Sequence, residues 1–390
     1  MDLDFAVEQE GFREEVRTWL AENKPAEPRP ARAARIRDYD LAWQRTQYEG
    51  GWAGIAWPVE YGGRGLSLLE QLIWYEEYGR AGLPSMDSTF VGLNHAGPTL
   101  IERASPEQKS AHLPPILRGE VVWCQGFSEP GAGSDLASLR TRGVIDGDEL
   151  VVSGQKIWTS YADLADWQEL LVRTDPDVPR HRGITWIVCD MHSPGIDVRP
   201  IETMDGEHEF CEVFYDEVRI PLANVVGAPG EGWSVAMSTL SFERGTAFTA
   251  GQVRLATTVE ELIATAAERP GPRGRGRAVD DEELARRLAS ARAEVAALRA
   301  LTYSSVSRSA RQGTPGPEGS IVKLYFSELE KRVARLAMDV LGAESVRGRS
   351  QWLPGGWTGR YLHSFASTIG GGTSEIQRNI IGERLLGLPR

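Results

Sequence analysis

Apolar residues recur at helical spacing from the start of the chain, where Phe5, Phe12, Val16, Trp19 and Leu20 fall on one face of a 3.6-residue repeat. A Pro-rich break from Lys24 to Pro30 interrupts the pattern, and it returns from Asp38 to Tyr48. Leu66, Leu69, Leu72, Ile73 and Tyr75 mark a further amphipathic helix. Ser105-Pro106-Glu107-Gln108 reads as a capping box, with proline in the first turn, where a missing N–H leaves no hydrogen bond unmade. Residues 1–120 are therefore expected to form an all-helical unit.

The period then shortens. β-rich runs at Val121 to Phe127, Val144 to Ile157, Glu169 to Thr174, Gly183 to Asp190 and Phe210 to Ile220 are separated by turn residues such as Asp146-Gly147-Asp148. They predict an antiparallel β unit over residues 121–228. From Gly232 helical spacing resumes, first to Glu268, and then beyond a Pro/Gly/Arg break at Pro270 to Arg277. Leu284, Leu288, Val295 and Leu298 define one more helix, and Ile321, Leu324, Leu329, Val333, Leu336 and Val340 the next. The prediction is an α+β protein in the order helices, sheet, helices, with residues 229–390 as a helical bundle. The apolar faces of the last two long helices suit an oligomer interface.

Composition narrows the function. The chain has 390 residues, 41% hydrophobic and 25% charged, with 12 Trp and 42 Gly spread along it, so it can bury a large core. A net charge of -12 argues against nucleic acid or an anionic membrane as partner. Cys124, Cys189 and Cys211 are too dispersed for a disulfide framework or paired zinc ligands, and the six histidines show no ligand spacing, so no metal is expected. The first dozen residues show no targeting pattern and no apolar run is long enough to span a membrane, which predicts a cytoplasmic protein. There is no G-x-G-x-x-G between a strand and a helix, no P-loop and no G-x-S-x-G.

Five longer strings carry more information: GWAGIAWPVEYGGRG from Gly51, WCQGFSEPGAGSDLA from Trp123, GQKIWTSY from Gly154, Phe242-Glu243-Arg244, and GGGTSEIQRNIIGERLLGLPR from Gly370. Together they resemble the acyl-CoA dehydrogenase family over essentially the whole chain and in the right order. The resemblance implies FAD lying between the sheet unit and the C-terminal helices. It also implies dehydrogenation of an acyl-CoA thioester across its α and β carbons, with electrons passed to an electron-transfer flavoprotein. By alignment Gln125, Phe127, Ser128, Gly133 and Ser134 belong to a flavin-binding loop. Trp158 and Ser160 match the positions that cover the reactive edge of the ring, Thr373 matches a cofactor contact at a helix start, and Glu375 reads either as a second such contact or as a first-turn acid that suits the helix dipole. Glycines and hydroxyls in such a loop leave backbone N–H groups uncovered for ring and pyrophosphate oxygens.

The chemistry needs a carboxylate for the α-proton and donors for the thioester oxygen. In many relatives the base immediately precedes the Gly-Thr of the C-terminal loop, where this chain has Gly371. A minority carry it before an arginine on the first long helix of the C-terminal domain. This implies Glu243 as the catalytic base, with Arg244 beside it, and Ser134 and the Gly371 backbone as substrate contacts. Two motifs that touch the FAD of a neighbouring subunit are replaced, by Glu268 to Arg277 and by Asp339 to Ala343. The assembly implied is a homotetramer or a heterotetramer with a homologous subunit. A bulky or branched acyl group is expected. Rival readings are a non-catalytic partner subunit, or a flavin oxidase or monooxygenase on the same scaffold.

Overall fold

The computed structural model describes residues 5–30, 33–242, 246, 249–312, 316–347 and 356–389. A helical N-terminal domain holds α1 (Val7–Asn23), α2 (Ala33–Glu49), α3 (Leu68–Arg80), α4 (Asp87–Val91), α5 (Gly97–Arg103) and α6 (Pro106–Leu117). The capping box at the start of α6 forms as expected: Gln108 N donates to Ser105 Oγ at 3.3 Å and Ser105 N to Gln108 Oε1 at 3.0 Å. Between α4 and α5 the helix widens into a π-helical turn, Gly92–Ala96. Glycine and proline hide this stretch from a periodicity reading, and a π turn inside a helix often marks a functional site.

The middle domain is one seven-stranded sheet: β1 (Trp123–Gly126), β2 (Arg142–Asp146), β3 (Glu149–Ser160), β4 (Trp167–Arg173), β5 (Ile184–Asp190), β6 (Ile196–Ile201) and β7 (Phe210–Pro221). The pairs β2–β3, β3–β7, β6–β7 and β4–β5 are antiparallel, whereas β1 joins β4 in parallel. The strand absent from the sequence prediction is β6. It pairs only with β7 and carries Asp197, Arg199 and Pro200; an edge strand tolerates proline and charge that a central strand would not.

The C-terminal domain contains α7 (Gly232–Phe242), α8 (Thr249–Glu268), α9 (Glu282–Gln312), α10 (Gly319–Leu341), α11 (Glu344–Arg347), α12 (Trp357–Ser367) and α13 (Ser374–Ile380). Leu255, Val259 and Leu262 of α8 pack with Leu288 and Leu298 of α9 and with Leu329, Val333 and Leu336 of α10 in one core. The helical domains are also pinned together. Glu76 on α3 takes Arg13 at 3.0 Å and reaches across to Arg299 on α9, also at 3.0 Å. Glu76 and Arg13 are almost wholly buried, so water screens their pair little, whereas Arg299 is more than half exposed. No described helix is long and apolar enough to cross a membrane.

Candidate active site

The string from Trp123 leaves β1 and turns at its C-terminal end, where Phe127 is buried and Ser128 half-buried. The turn is fixed from below by an ion pair inside the protein, Lys156 Nζ to Glu129 Oε1 at 2.9 Å, and Lys156 is fully buried. Lys156 also donates to the carbonyl of Phe127 at 3.0 Å, and Glu129 accepts from the backbone N–H groups of Arg140 and Thr141. Burial brings the Lys156 ammonium down to about 8 against the upward pull of Glu129. Burial also pushes Glu129 up, but Lys156 and Thr141 outweigh it and hold the carboxyl below its ordinary range. Both residues lie inside the strings that carry the family resemblance, yet neither stands out there as part of the site. An acid in a loop and a base on a strand give no local sign that they meet.

Further contacts join the two flavin strings. The Ile157 N–H donates to the Ser128 carbonyl at 3.0 Å, so Trp158 sits beside the loop. The pairing of β3 with β7 slips between Lys156 and Thr159, and Trp158 within that slip takes φ 61°. A bulky aromatic residue in the left-handed region is strained. The residue is 56% exposed, and its ring stands edge-on to Phe210 with centroids 5.9 Å apart. Ser160 closes the strand, half-buried. A Cβ added at Gly131 or Gly133 would meet nothing within 4 Å, and Ser134 is exposed. A strained, exposed aromatic plate beside a loop with open space over its backbone fits a planar ring carrying a pyrophosphate tail. The Gln125 amide donates to the buried Glu169 at 2.7 Å and lies 3.2 Å from His95 Nδ1 in the π turn.

The C-terminal string forms a second loop. Gly371 and Gly372 have φ 64° and 87°, values that favour glycine, and both of their carbonyls accept from Gln377 Nε2, at 2.8 and 3.3 Å. Lys323 on α10 donates to the Gly372 carbonyl at 2.8 Å and to Ser367 at 3.2 Å. With the carbonyls held from this side, Gly371 itself remains exposed. Thr373 caps α13, accepting from the Ile376 N–H at 3.3 Å. Glu375 is 77% exposed and lies 3.5 Å from Arg378, the arrangement of an ordinary acid in a first helical turn. The helix before this loop, α12, reaches the middle domain through His363 Nδ1 and Asp205 Oδ2 at 3.0 Å. The Tyr161 N–H donates to the Glu209 carbonyl at 2.7 Å, which ties the same segment to the end of β3. Glu243 and Arg244 lie outside the described residues, directly after α7.

A cavity of about 1190 Å³ opens among the three domains. Its walls come from Trp52, Tyr75 and Asn94 of the N-terminal domain, Tyr161 and residues 205–209 of the middle domain, and Gly251, Arg254, Glu330 and His363 of the C-terminal domain. Phe127, Ser128, Trp158 and Ser160 are not among its described lining, which includes Tyr161, directly after β3. Its wall is polar at one end. Burial, helped by Asp87, pushes the Glu209 carboxyl up to about 7, and burial also raises Glu330. Burial pulls His363 down, but Asp205 and Glu209 more than restore it, leaving it above its ordinary value. Sequence reasoning missed this cavity, because its residues are drawn from positions more than 300 apart. Among the described residues no cluster of His, Cys, Asp or Glu is arranged to hold a metal ion.

Known proteins share this arrangement. Profiles described as the N-terminal, middle and C-terminal domains of acyl-CoA dehydrogenase match residues 6–120, 124–218 and 230–386. The acyl-CoA dehydrogenase IpdE1 of Mycobacterium tuberculosis is 40% identical over 392 residues, covering 98% of each chain. Among solved structures, the "Tcur3481-Tcur3483 steroid ACAD" superposes with a TM-score of 0.86 at 33% identity, covering 100% of both chains. The ChsE4-ChsE5 complex from Mycobacterium tuberculosis superposes with a TM-score of 0.84 at 34% identity, again covering 100% of both chains. The chain belongs to the acyl-CoA dehydrogenase family and is an oxidoreductase whose cofactor is FAD.

Proposed function

We propose that this chain is the base-carrying subunit of a dehydrogenase acting on a bulky, steroid-derived acyl-CoA. The product is the trans-2-enoyl-CoA, and the electrons pass to an electron-transfer flavoprotein. The observation that carries the substrate reading is the three-domain cavity of about 1190 Å³, larger than the roughly 300–1,000 Å³ typical of small-molecule pockets. Relatives named for steroid substrates point the same way.

FAD, when bound, accepts the β-hydrogen as hydride. Glu243 takes the α-proton. The segment carrying it lies between α7 and α8, and α8 begins the cavity wall at Ala250. The backbone N–H of Gly371 polarises the thioester oxygen, a role that needs no side chain. Phe127, Ser128, Gly133 and Ser134 hold the ring and pyrophosphate, Trp158 and Ser160 cover the ring edge and exclude water, and Thr373 contributes from the C-terminal side. Glu375 serves the helix end and Arg378 more than the cofactor. Arg244 orients Glu243, and Gln125 acts through Glu169 and His95.

A heterotetramer with a homologous subunit accords with the two altered motifs. Arg277 pairs with Asp280 of its own chain at 2.8 Å, and Asp339 with Arg287 at 2.8 Å. The superposing Tcur3481-Tcur3483 and ChsE4-ChsE5 structures likewise carry paired names.

The test is a screen of straight, branched and steroid-side-chain CoA thioesters by flavin bleaching, with any homologous subunit coexpressed. Steroid-side-chain thioesters are expected to bleach fastest. Glu243→Gln should retain FAD and lose turnover by about 10²–10⁴-fold. Near-normal turnover in that variant removes Glu243 from the mechanism, and steady oxygen consumption without a dye or flavoprotein acceptor identifies an oxidase instead.

A further inference from the structure

Two arginines in the cavity wall already have acidic partners. Arg29 binds Asp40 through two nitrogens, at 2.8 and 2.6 Å, and Arg360 pairs with Glu261 at 2.8 Å. A third, Arg254, lines the same cavity; it interacts electrostatically with Glu330, but among the described residues its guanidinium makes no hydrogen bond or salt bridge. The helix face that presents it also carries Ala250, Gly251, Leu255 and Thr258, all in the cavity wall. Gly251 makes room beside it. A Cβ there would lie 3.3 Å from the Phe326 ring and 3.9 Å from the Arg254 head group.

A guanidinium is charged at any working pH and offers five donors. Nearby acids offset its charge, but pressing hydrocarbon against it would strip water from its N–H donors and return no acceptor. A cavity built for a plain alkyl body would not place this group in its wall. Arg254 stands five residues into α8, about 7.5 Å along the helix axis from Thr249. The wall it faces is rich in acids, including Asp87, Asp205, Glu207, Glu209 and Glu330. A second carboxylate brought in with a ligand would meet them at unfavourable charge, whereas a carbonyl oxygen accepts from Arg254 without that repulsion.

We propose that Arg254 selects an acyl group bearing a ketone oxygen on its body, remote from the thioester, and hydrogen-bonds that oxygen in the cavity. The inference rests on the acyl-CoA reading of the cavity and names the substrate class that the cavity takes.

The experiment uses FAD-loaded enzyme, with its homologous subunit if the two copurify. It compares kcat/KM for three CoA thioesters of one polycyclic skeleton: a hydrocarbon, its ring ketone, and its ring carboxylate. The unaltered enzyme should favour the ketone. In Arg254→Leu the ratio of ketone to hydrocarbon should fall at least about tenfold, chiefly through KM, and Arg254→Lys should recover part of it. An equal loss on all three thioesters means that Arg254 serves the fold or the CoA moiety, and overturns the proposal. So does an unaltered ratio in Arg254→Leu, and so does a preference confined to the carboxylate. If no CoA thioester of any kind bleaches the unaltered enzyme, the acyl-CoA reading itself fails and the proposal fails with it.

Discussion

The two loops assigned to the flavin are held in different ways. The middle-domain loop rests on Lys156 and Glu129, charges shut inside the protein and satisfied by each other and by backbone groups. The C-terminal loop rests on Gln377 and Lys323 donating to its carbonyls, and its own Gly371 and Glu375 are exposed. The contrast teaches that the first loop is shaped by folding alone. A buried ion pair has few alternative geometries, since moving either partner leaves a charge unmatched. The second is shaped by hydrogen bonds to its carbonyls, about 0.5–1.5 kcal/mol net each from the Gln377 amide and about 1.5–3 kcal/mol from the half-buried Lys323 ammonium. A bound cofactor or a neighbouring subunit can therefore adjust it.

The largest effect should come from breaking the first loop. Lys156→Met strands the Glu129 carboxylate in the interior and is expected to destabilise by about 3–5 kcal/mol, with FAD lost on gel filtration; denaturant titration and the ratio of flavin to protein absorbance measure both. Retention of FAD by that variant would show that the pair is not what shapes the loop. Gln377→Leu removes the donor to two carbonyls of the second loop and should cost about 1–3 kcal/mol. It should reduce turnover more than cofactor content. If it strips FAD as completely as Lys156→Met, the two loops do not differ in the way described.

Gly372→Ala is a finer probe. The residue has φ 87°, and an added Cβ would approach Gln377 Nε2 at 2.9 Å, so a loss of about 1–2 kcal/mol is expected from strain and a displaced donor. Thermal melting reads it.

The seam between the loops supplies the smallest prediction. The Glu209 carboxyl is raised to about 7, chiefly by burial, so the folded chain keeps a proton that the unfolded chain releases from about 4.5 upward. Stability from this group therefore falls as pH rises from about 4.5 to 7. His363, raised beside Asp205 and Glu209, acts in the same direction, since its contribution is complete below 6.5 and is lost as pH climbs through its folded value. The lowered Asp205 matters only toward its ordinary 3.8 and below. Melting temperature should drop by a few degrees between pH 5 and pH 8, and Glu209→Gln should flatten part of that slope. An identical slope in the variant assigns the dependence elsewhere.

Much of the fold was legible because its signals are local. Gln108 three residues after Ser105 marks the start of α6, and the apolar face from Ile321 to Val340 marks α10. The Asp146-Gly147-Asp148 turn separates β2 from β3, with Gly147 at φ 65°. What escaped was β6, whose charges and proline suit an edge, and the stretch over 87–103, where α4, the π turn and α5 follow one another through Gly92, Gly97 and Pro98. Of the site, the strings named the loops and their order. They did not reveal that Gln125 turns toward Glu169 and His95, or that Glu375 pairs with Arg378 at the surface.

By itself the sequence determined the order of helices, sheet and helices, the two glycine-bearing loops and the absence of a carboxylate at Gly371, because each depends on spacing between near neighbours. Only the tertiary structure decided that Lys156 meets Glu129 across 27 residues, that His363 joins Asp205 across 158, and that Arg254 stands in a wall shared with Asn94 and Glu209. Such contacts follow from strand register and helix packing. Local residue spacing does not encode how separate elements come to lie against one another.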